Sequence, residues 1–191
     1  MITLDARRFI ERNSLIPGSK LVALKNLSDS VKHLDGDIAE VGVFNGGSAY
    51  LLAASNPDKL IYCCDTFEGL PETSKFDNYC KKGDFKSNFD YVRGLLSGFD
   101  NVAFFRGIFP DINPGELINK KFRLVHLDVD IYTSVLECSK YFYPKMVEGG
   151  IIIYDDYGNQ YCEGATIALD LFLKDKPEKL ILSSHAYFIK K

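Results

Sequence analysis

Two apolar runs in the second half of the chain, Arg123-Leu-Val-His-Leu-Asp128-Val-Asp130 and Ile151-Ile-Ile-Tyr-Asp155-Asp156, both end in carboxylates. Between them lies an amphipathic stretch, Tyr132 to Met146, long enough for one crossover helix. The two runs are therefore expected to be parallel neighbouring strands with their carboxyl ends at one level. Their acids then converge. Oxygen-rich clusters of this kind favour magnesium, manganese or calcium over zinc, which prefers His and Cys ligands.

The same alternation runs along the rest of the chain. Ser19 to Leu34 carries apolar residues at helical spacing, with Ser19 as the expected N-cap. Strands are expected over Asp37–Val43, Lys59–Asp65, Val102–Arg106, Phe122–Asp130 and Gly150–Asp156. Helices are expected over Gly46–Ser55, Asp84–Leu96 and Glu163–Lys174, with a short one near Gly115–Asn119. The last two strands, Lys179–Ser183 and Ala186–Lys190, are separated by too few residues for a parallel crossover and should form an antiparallel hairpin at the sheet edge. The pattern predicts an α/β, doubly wound, Rossmann-like fold with a mostly parallel seven-stranded sheet, helices on both faces and ligands at the strand carboxyl ends.

At 191 residues the chain fits one domain, read here as an N-terminal helical segment over 1–36 followed by the main domain over 37–191. No window approaches the roughly 18 apolar residues of a membrane span, and the start, Met-Ile-Thr-Leu-Asp-Ala-Arg-Arg, shows no signal peptide. Cys63, Cys64, Cys80, Cys138 and Cys162 form neither a C-x-x-C pair nor an even framework, which suits buried thiols in a reducing compartment. A cytoplasmic location is expected. The net charge of −3 and pI near 5.6 give no basic footprint for nucleic acid, so neither nucleic acid nor membrane is expected as a partner.

Glu40-Val-Gly42-Val-Phe-Asn-Gly46-Gly47-Ser48 lies where the first strand turns into the next helix, where glycines permit tight geometry and close approach of a ligand. It reads as a nucleotide loop. Phe44 stands at the second glycine of the dinucleotide fingerprint, and there is no G-K-[ST], so both pyrophosphate-binding motifs are missing. Asp65, ending the second strand, can accept hydrogen bonds from ribose hydroxyls, so Glu40 and Asp65 frame an adenosyl-type ligand. Gly107 adds a close-approach glycine after the third strand. Strand alternation puts His126, Asp128 and Asp130 on one face, with His126 expected as a core histidine. The long connection Thr66–Gly83, with Phe67, Phe76 and Tyr79, is expected to be a mobile lid or acceptor-binding loop.

These motifs, taken in order, resemble the macrocin O-methyltransferase family: Glu40-x-Gly42-Val-Phe-x-Gly46-Gly47-Ser48, Asp65-Thr-Phe-Glu-Gly69-Leu-Pro71, Gly107-x-Phe109-Pro110-Asp111, Leu127-Asp128-x-Asp130-x-Tyr132-x-Ser134, Tyr143-Pro-Lys-x-x-x-Gly149-Gly150 and Asp155-Asp156-Tyr157. The resemblance implies a class I methyltransferase fold, S-adenosylmethionine across the first two strands, and magnesium or manganese held by Asp128, Asp155 and Asp156. It also implies a small-molecule hydroxyl acceptor, a sugar or glycoside. The macrolide enzymes carry a longer N-terminal region with lid and oligomer contacts, so a smaller or more open acceptor pocket is expected here, and a homo-oligomer stays open.

A sugar or phenolic hydroxyl is a poor nucleophile at neutral pH, whereas the sulfonium methyl is already activated. Catalysis must act on the acceptor, and a divalent cation with a nearby carboxylate base can do so. Asp128 is the candidate base as well as ligand and cofactor-side residue, with Asp130 as an outer-shell or cofactor-side acid. The rival readings are a nicotinamide-dependent Rossmann oxidoreductase, disfavoured by Phe44 and the terminal hairpin, and a non-catalytic cofactor-binding module, disfavoured by the intact acids.

Overall fold

A computed structural model describes residues 4–112 and 115–191. Its elements run α1 (Leu4–Arg12), α2 (Gly18–Ser30), β1 (Asp37–Val41), α3 (Gly47–Ser55), β2 (Ile61–Asp65), α4 (Phe89–Leu95), β3 (Val102–Arg106), β4 (Phe122–Leu127), α5 (Tyr132–Phe142), β5 (Met146–Tyr154), α6 (Glu163–Leu173), β6 (Ile181–Leu182) and β7 (Ala186–Ile189). The sheet order is β3-β2-β1-β4-β5-β7-β6. Strands β1 to β5 are parallel, and β7 runs antiparallel to both β5 and β6. The chain builds outward from β1 to β3, then returns to the other side of β1 with β4. That reversal opens a crevice above the carboxyl ends of β1 and β4, where ligands of doubly wound sheets bind.

Every residue of β4 is buried, as a central parallel strand covered on both faces requires. Alternation divides the core. Ile38, Cys63, Leu124, Ile151 and Ile153 pack with residues of α1 to α4, including Ile10, Leu24, Leu52 and Val92. Ala39, Val41, Val125, Leu127 and Ile152 pack with Val135 and Phe142 of α5 and Leu169 of α6. The five cysteines are free and buried. No helix among the described residues is long and apolar enough to cross a membrane.

Several boundaries differ from the sequence reading. Helix α1 falls inside the helical segment expected over 1–36, although no helix was delimited there before Ser19. Helix α2 is preceded by Pro17 as its N-cap, with Ser19 inside the first turn, and it stops at Ser30. Val31 continues the apolar period into the core without continuing the helix. Helix α4 begins only at Phe89, because the Asn88 side chain accepts the Tyr91 N–H at 3.0 Å and caps it there. The expected crossover helix ends at Phe142, where a 3-10 turn containing Pro144 leads directly into β5 at Met146.

The far end of the chain is anchored by Glu178, which is buried. Its carboxylate accepts from the Tyr143 hydroxyl at 2.8 Å, the Lys190 ammonium at 3.1 Å and the Lys191 N–H at 3.2 Å. Burial alone would raise its pKa, but these donors outweigh it and hold the group at about 2. A depressed carboxyl stabilises the fold above its unfolded pKa and loses that contribution as pH falls toward the folded value. Glu178→Gln is therefore expected to cost on the order of 3 kcal/mol at pH 7, with the gap to wild type closing as pH falls from about 4.5 to 2. Urea unfolding at a series of pH values checks this, and a gap independent of pH would contradict it.

Candidate active site

A cavity of about 410 Å³ opens above the carboxyl ends of β1, β2, β4 and β5. Gly42, Ser48, Asp65, Gly107, Asp128, Asp155 and Asp156, all expected from sequence at the site, line it. So do Asp130 and, from the N-terminal part of the chain, Ser14 to Pro17 and Lys20.

Gly42 shows why the β1 turn needs glycine. Its φ is +88°, and a Cβ there would lie 1.7 Å from the Asp128 carbonyl oxygen, so the end of β4 rests directly on it. Phe44 adopts φ +50° without being glycine, which lets the loop turn despite the missing second glycine of the fingerprint. Gly107, at φ +143°, lies against the Ile112 side chain.

Three expected cofactor residues do not line the cavity. Gly46 caps α3 in a left-handed conformation and packs on Val92 of α4. The Gly47 N–H donates to the Asn13 carbonyl at 2.9 Å, and a Cβ there would strike the Ile10 and Asn13 backbone. These two glycines seat α3 against the end of α1 and against α4. Glu40 is fully buried in mid-strand, below the cavity floor, because β1 pairs it in register with His126 on β4. Its Oε1 lies 2.9 Å from His126 Nδ1, and this pair gives His126 its place in the core.

Asp65 also holds the backbone around it. Its Oδ2 accepts the Val43 and Phe44 N–H groups at 2.6 and 2.9 Å, and its Oδ1 accepts the Phe67 N–H at 2.7 Å. Three of roughly four acceptor sites on the carboxylate are thus taken by backbone, leaving room for one ligand hydroxyl rather than two. The loop that follows is braced. Asp77 accepts the Tyr132 N–H at 2.8 Å at the start of α5, the Leu70 N–H donates to the Asp84 carbonyl at 2.8 Å, and the Gly83 N–H donates to the Leu70 carbonyl at 2.9 Å. Only Thr66 and Gly69 to Pro71 of the segment expected as a lid reach the cavity, and Phe67 is in the core.

The acids converge. One ligand atom from each of Asp128, Asp155 and Asp156 falls within 4.8 Å of the others. Strand β4 ends at Leu127, so the alternation expected through Asp130 does not extend that far. Asp130 instead takes φ +57°, its N–H donating to Asp156 Oδ2 at 2.8 Å. Burial, then repulsion from Asp156, Asp155 and Asp130, pushes the Asp128 carboxyl well above the usual range. Burial and the charges of Asp130 and Asp155 do the same to Asp156. Burial, with Asp155 and Asp84, lifts Asp130 to about 6 against the Cys162 thiol that donates to it.

Asp155 is the exception. Burial would raise it, but the His185 hydrogen bond, the nearby His126 and the Lys20 ammonium hold it at about 2. Lys20 and His185 were missed from the sequence, where one looks like an ordinary lysine early in a helix and the other like a turn residue. Three mutually repelling carboxylates with no described donor on Asp128 form a donor set suited to a hard divalent cation. Asp128, Asp155 and Asp156 would hold it.

The macrocin O-methyltransferase (TylF) family model matches residues 12–176. A tetracenomycin-C rhamnosyl 4'-O-methyltransferase of Streptomyces olivaceus is 30% identical over 151 residues, 68% of this chain and 56% of that protein. Demethyldecarbamoylnovobiocin O-methyltransferase of Streptomyces niveus is 29% identical over 145 residues, 65% of this chain and 54% of its own length. The matches thus span about half the length of these relatives. Among solved structures, the O-methyltransferase NovP superposes with a TM-score of 0.80 at 24% identity, covering 94% of this chain and 82% of its own. The calicheamicin methyltransferase CalS11 gives 0.79 at 20% identity, covering 97% and 91%. These similarities carry the class I O-methyltransferase fold, and with the matched family model they place this chain in the macrocin O-methyltransferase family.

Proposed function

We propose that this protein transfers a methyl group from S-adenosylmethionine to a hydroxyl of a small-molecule acceptor, a sugar or glycoside, with the help of a divalent cation. One observation carries the reading. The glycine turn with Asp65 and the acid triad open into the same cavity at the point where the strand order reverses. The turn accommodates the nucleoside, and Asp65 offers its remaining acceptor site to a ribose hydroxyl. Family relatives named as O-methyltransferases of glycosylated antibiotics support the acceptor class, and a solved O-methyltransferase of similar fold was determined with bound S-adenosylhomocysteine. The same membership favours this reading over a nicotinamide-dependent oxidoreductase and over a non-catalytic module.

Bound at the triad, magnesium or manganese would orient a vicinal diol and acidify a coordinated hydroxyl. The chain supplies the rest. Asp128 faces the cavity and takes the hydroxyl proton. S-adenosylmethionine, held at the glycine turn and by Asp65, would supply an activated methyl to the acceptor oxygen, its sulfur keeping the electron pair of the broken carbon–sulfur bond. Asp130 stands beside Asp128 in the same wall, a second carboxylate for the proton. Asp130→Asn that keeps cation binding but loses turnover would move the base there.

The test is transfer of labelled methyl from S-adenosylmethionine to a panel of glycosides with and without magnesium. Expected is transfer that depends on magnesium and stops in excess EDTA. Full transfer in EDTA would rule out the cation, and binding of NADH without S-adenosylhomocysteine would overturn the methyltransferase reading.

A further inference from the structure

We propose that His185 is a positioning residue for Asp155, fixing the orientation of that carboxylate within the acid triad and so giving the C-terminal hairpin a part in the site. The inference rests on the cation reading above. Antiparallel pairing of β5 with β7 sets Tyr154 opposite Ala186, so the next residues along, Asp155 and His185, face each other just past the ladder. The His185 ring is buried, with Nε2 2.9 Å from Asp155 Oδ1.

Lys20 of α2 reaches Asp155 from the other side, its Nζ 3.0 Å from Oδ2. With an ammonium on one oxygen, Asp155 is an acceptor, so the imidazole must donate from Nε2. One donor on each oxygen stops the carboxylate from rotating and leaves the second lone pair of each oxygen for a cation. The His126 ring lies behind His185 at 6.0 Å, nearly perpendicular to it, and is itself held by Glu40. That wall restrains the His185 ring.

His126, Asp155 and His185 also bring ligand atoms within 4.8 Å of one another, the separation a second cation site would need. The His185 Nε2 that faces Asp155 carries the proton of their hydrogen bond, so it has no lone pair to offer a cation there. The hydrogen bond is therefore the favoured arrangement. Partners of this kind behind a metal ligand typically change cation affinity by roughly 10- to 100-fold when removed.

The experiment is Mn2+ binding, followed by electron paramagnetic resonance, to the full chain loaded with S-adenosylhomocysteine. His185→Gln keeps an N–H at the Nε2 position, His185→Asn moves it to the Nδ1 position, and His185→Leu removes it. Expected is one Mn2+ per wild-type chain, an affinity within about threefold in the Gln variant, and a loss of roughly 10- to 100-fold in the Leu variant. The cofactor affinity should stay constant across the set. If the Leu variant does not fold, the comparison of Asn with Gln carries the test, with Asn expected at least about tenfold weaker. Equal affinities across the variants would overturn the positioning role while leaving the cation site standing. Two Mn2+ per chain, one of them lost in His126→Gln, would overturn it in favour of a second cation. A wild-type chain that binds no Mn2+ would sink the cation reading, and this inference with it.

Discussion

Asp128→Asn is expected to lower methyl transfer by roughly three orders of magnitude, the effect of withdrawing about 4 kcal/mol of transition-state stabilisation. Asn is close in shape, so the backbone contact between Asp128 and Gly42 survives and S-adenosylhomocysteine affinity should change little. Stability should move the other way. A half-buried acid whose pKa is raised by desolvation and by its neighbours Asp156 and Asp155 costs folding free energy when ionised at neutral pH. In EDTA the Asn variant is accordingly expected to melt higher than wild type. Single-turnover transfer and thermal melts with and without magnesium check both halves. More than a tenth of wild-type turnover in the variant would remove Asp128 from its role.

Gly42→Ala should have the largest effect on the fold. A methyl group at that position would sit inside the Asp128 carbonyl, 1.7 Å from its oxygen, at a φ of +88° that L-residues rarely adopt. The clash is with backbone, so no side-chain rotation relieves it, and either β1 or β4 must shift. A cost of about 3 to 5 kcal/mol is expected, lowering the Tm by roughly 10 °C in a chain of this size. Cofactor affinity should fall with it, since the displaced turn lines the cavity. Calorimetric melting and S-adenosylhomocysteine titration measure the two. Gly83→Ala is a useful comparison, because that glycine also has positive φ but its Cβ would meet nothing within 4 Å. A Gly42→Ala melt no lower than the Gly83→Ala melt would show that the contact is not tight.

The strands were legible because each is an apolar run bounded by turn residues, and the reversed final pair followed from the few residues around Ser184. The helix ends were not. Asn88 captures the start of α4 through a local side-chain bond that competes with the expected earlier start, and α1, nine mostly charged residues, is shorter than the window over which helical periodicity is read. At the site, the acids and Gly42 could be read because strand ends and glycine turns are local facts. Glu40 and Asp65 could not be read fully, since their partners come from other strands and loops. Register alone pairs Glu40 with His126, and only folding shows that Asp65 is mostly spent on backbone. Lys20 and His185 carry no local mark at all.

The two walls of the cavity differ in contact order. The nucleoside wall is made from neighbours, with Asp65 binding Val43 and Phe44 over separations of 22 and 21 residues. The acid wall is closed by Lys20 on Asp155 across a separation of 135 residues. Non-local closures bear the larger loop entropy and come late in assembly. During synthesis, the contacts of Asp65 with the glycine turn need only β1 and β2, whereas the acid half must wait for β5 and the hairpin behind it. Under the proposed function, methyl transfer would report that the acid wall is complete, in a way that cofactor binding alone would not.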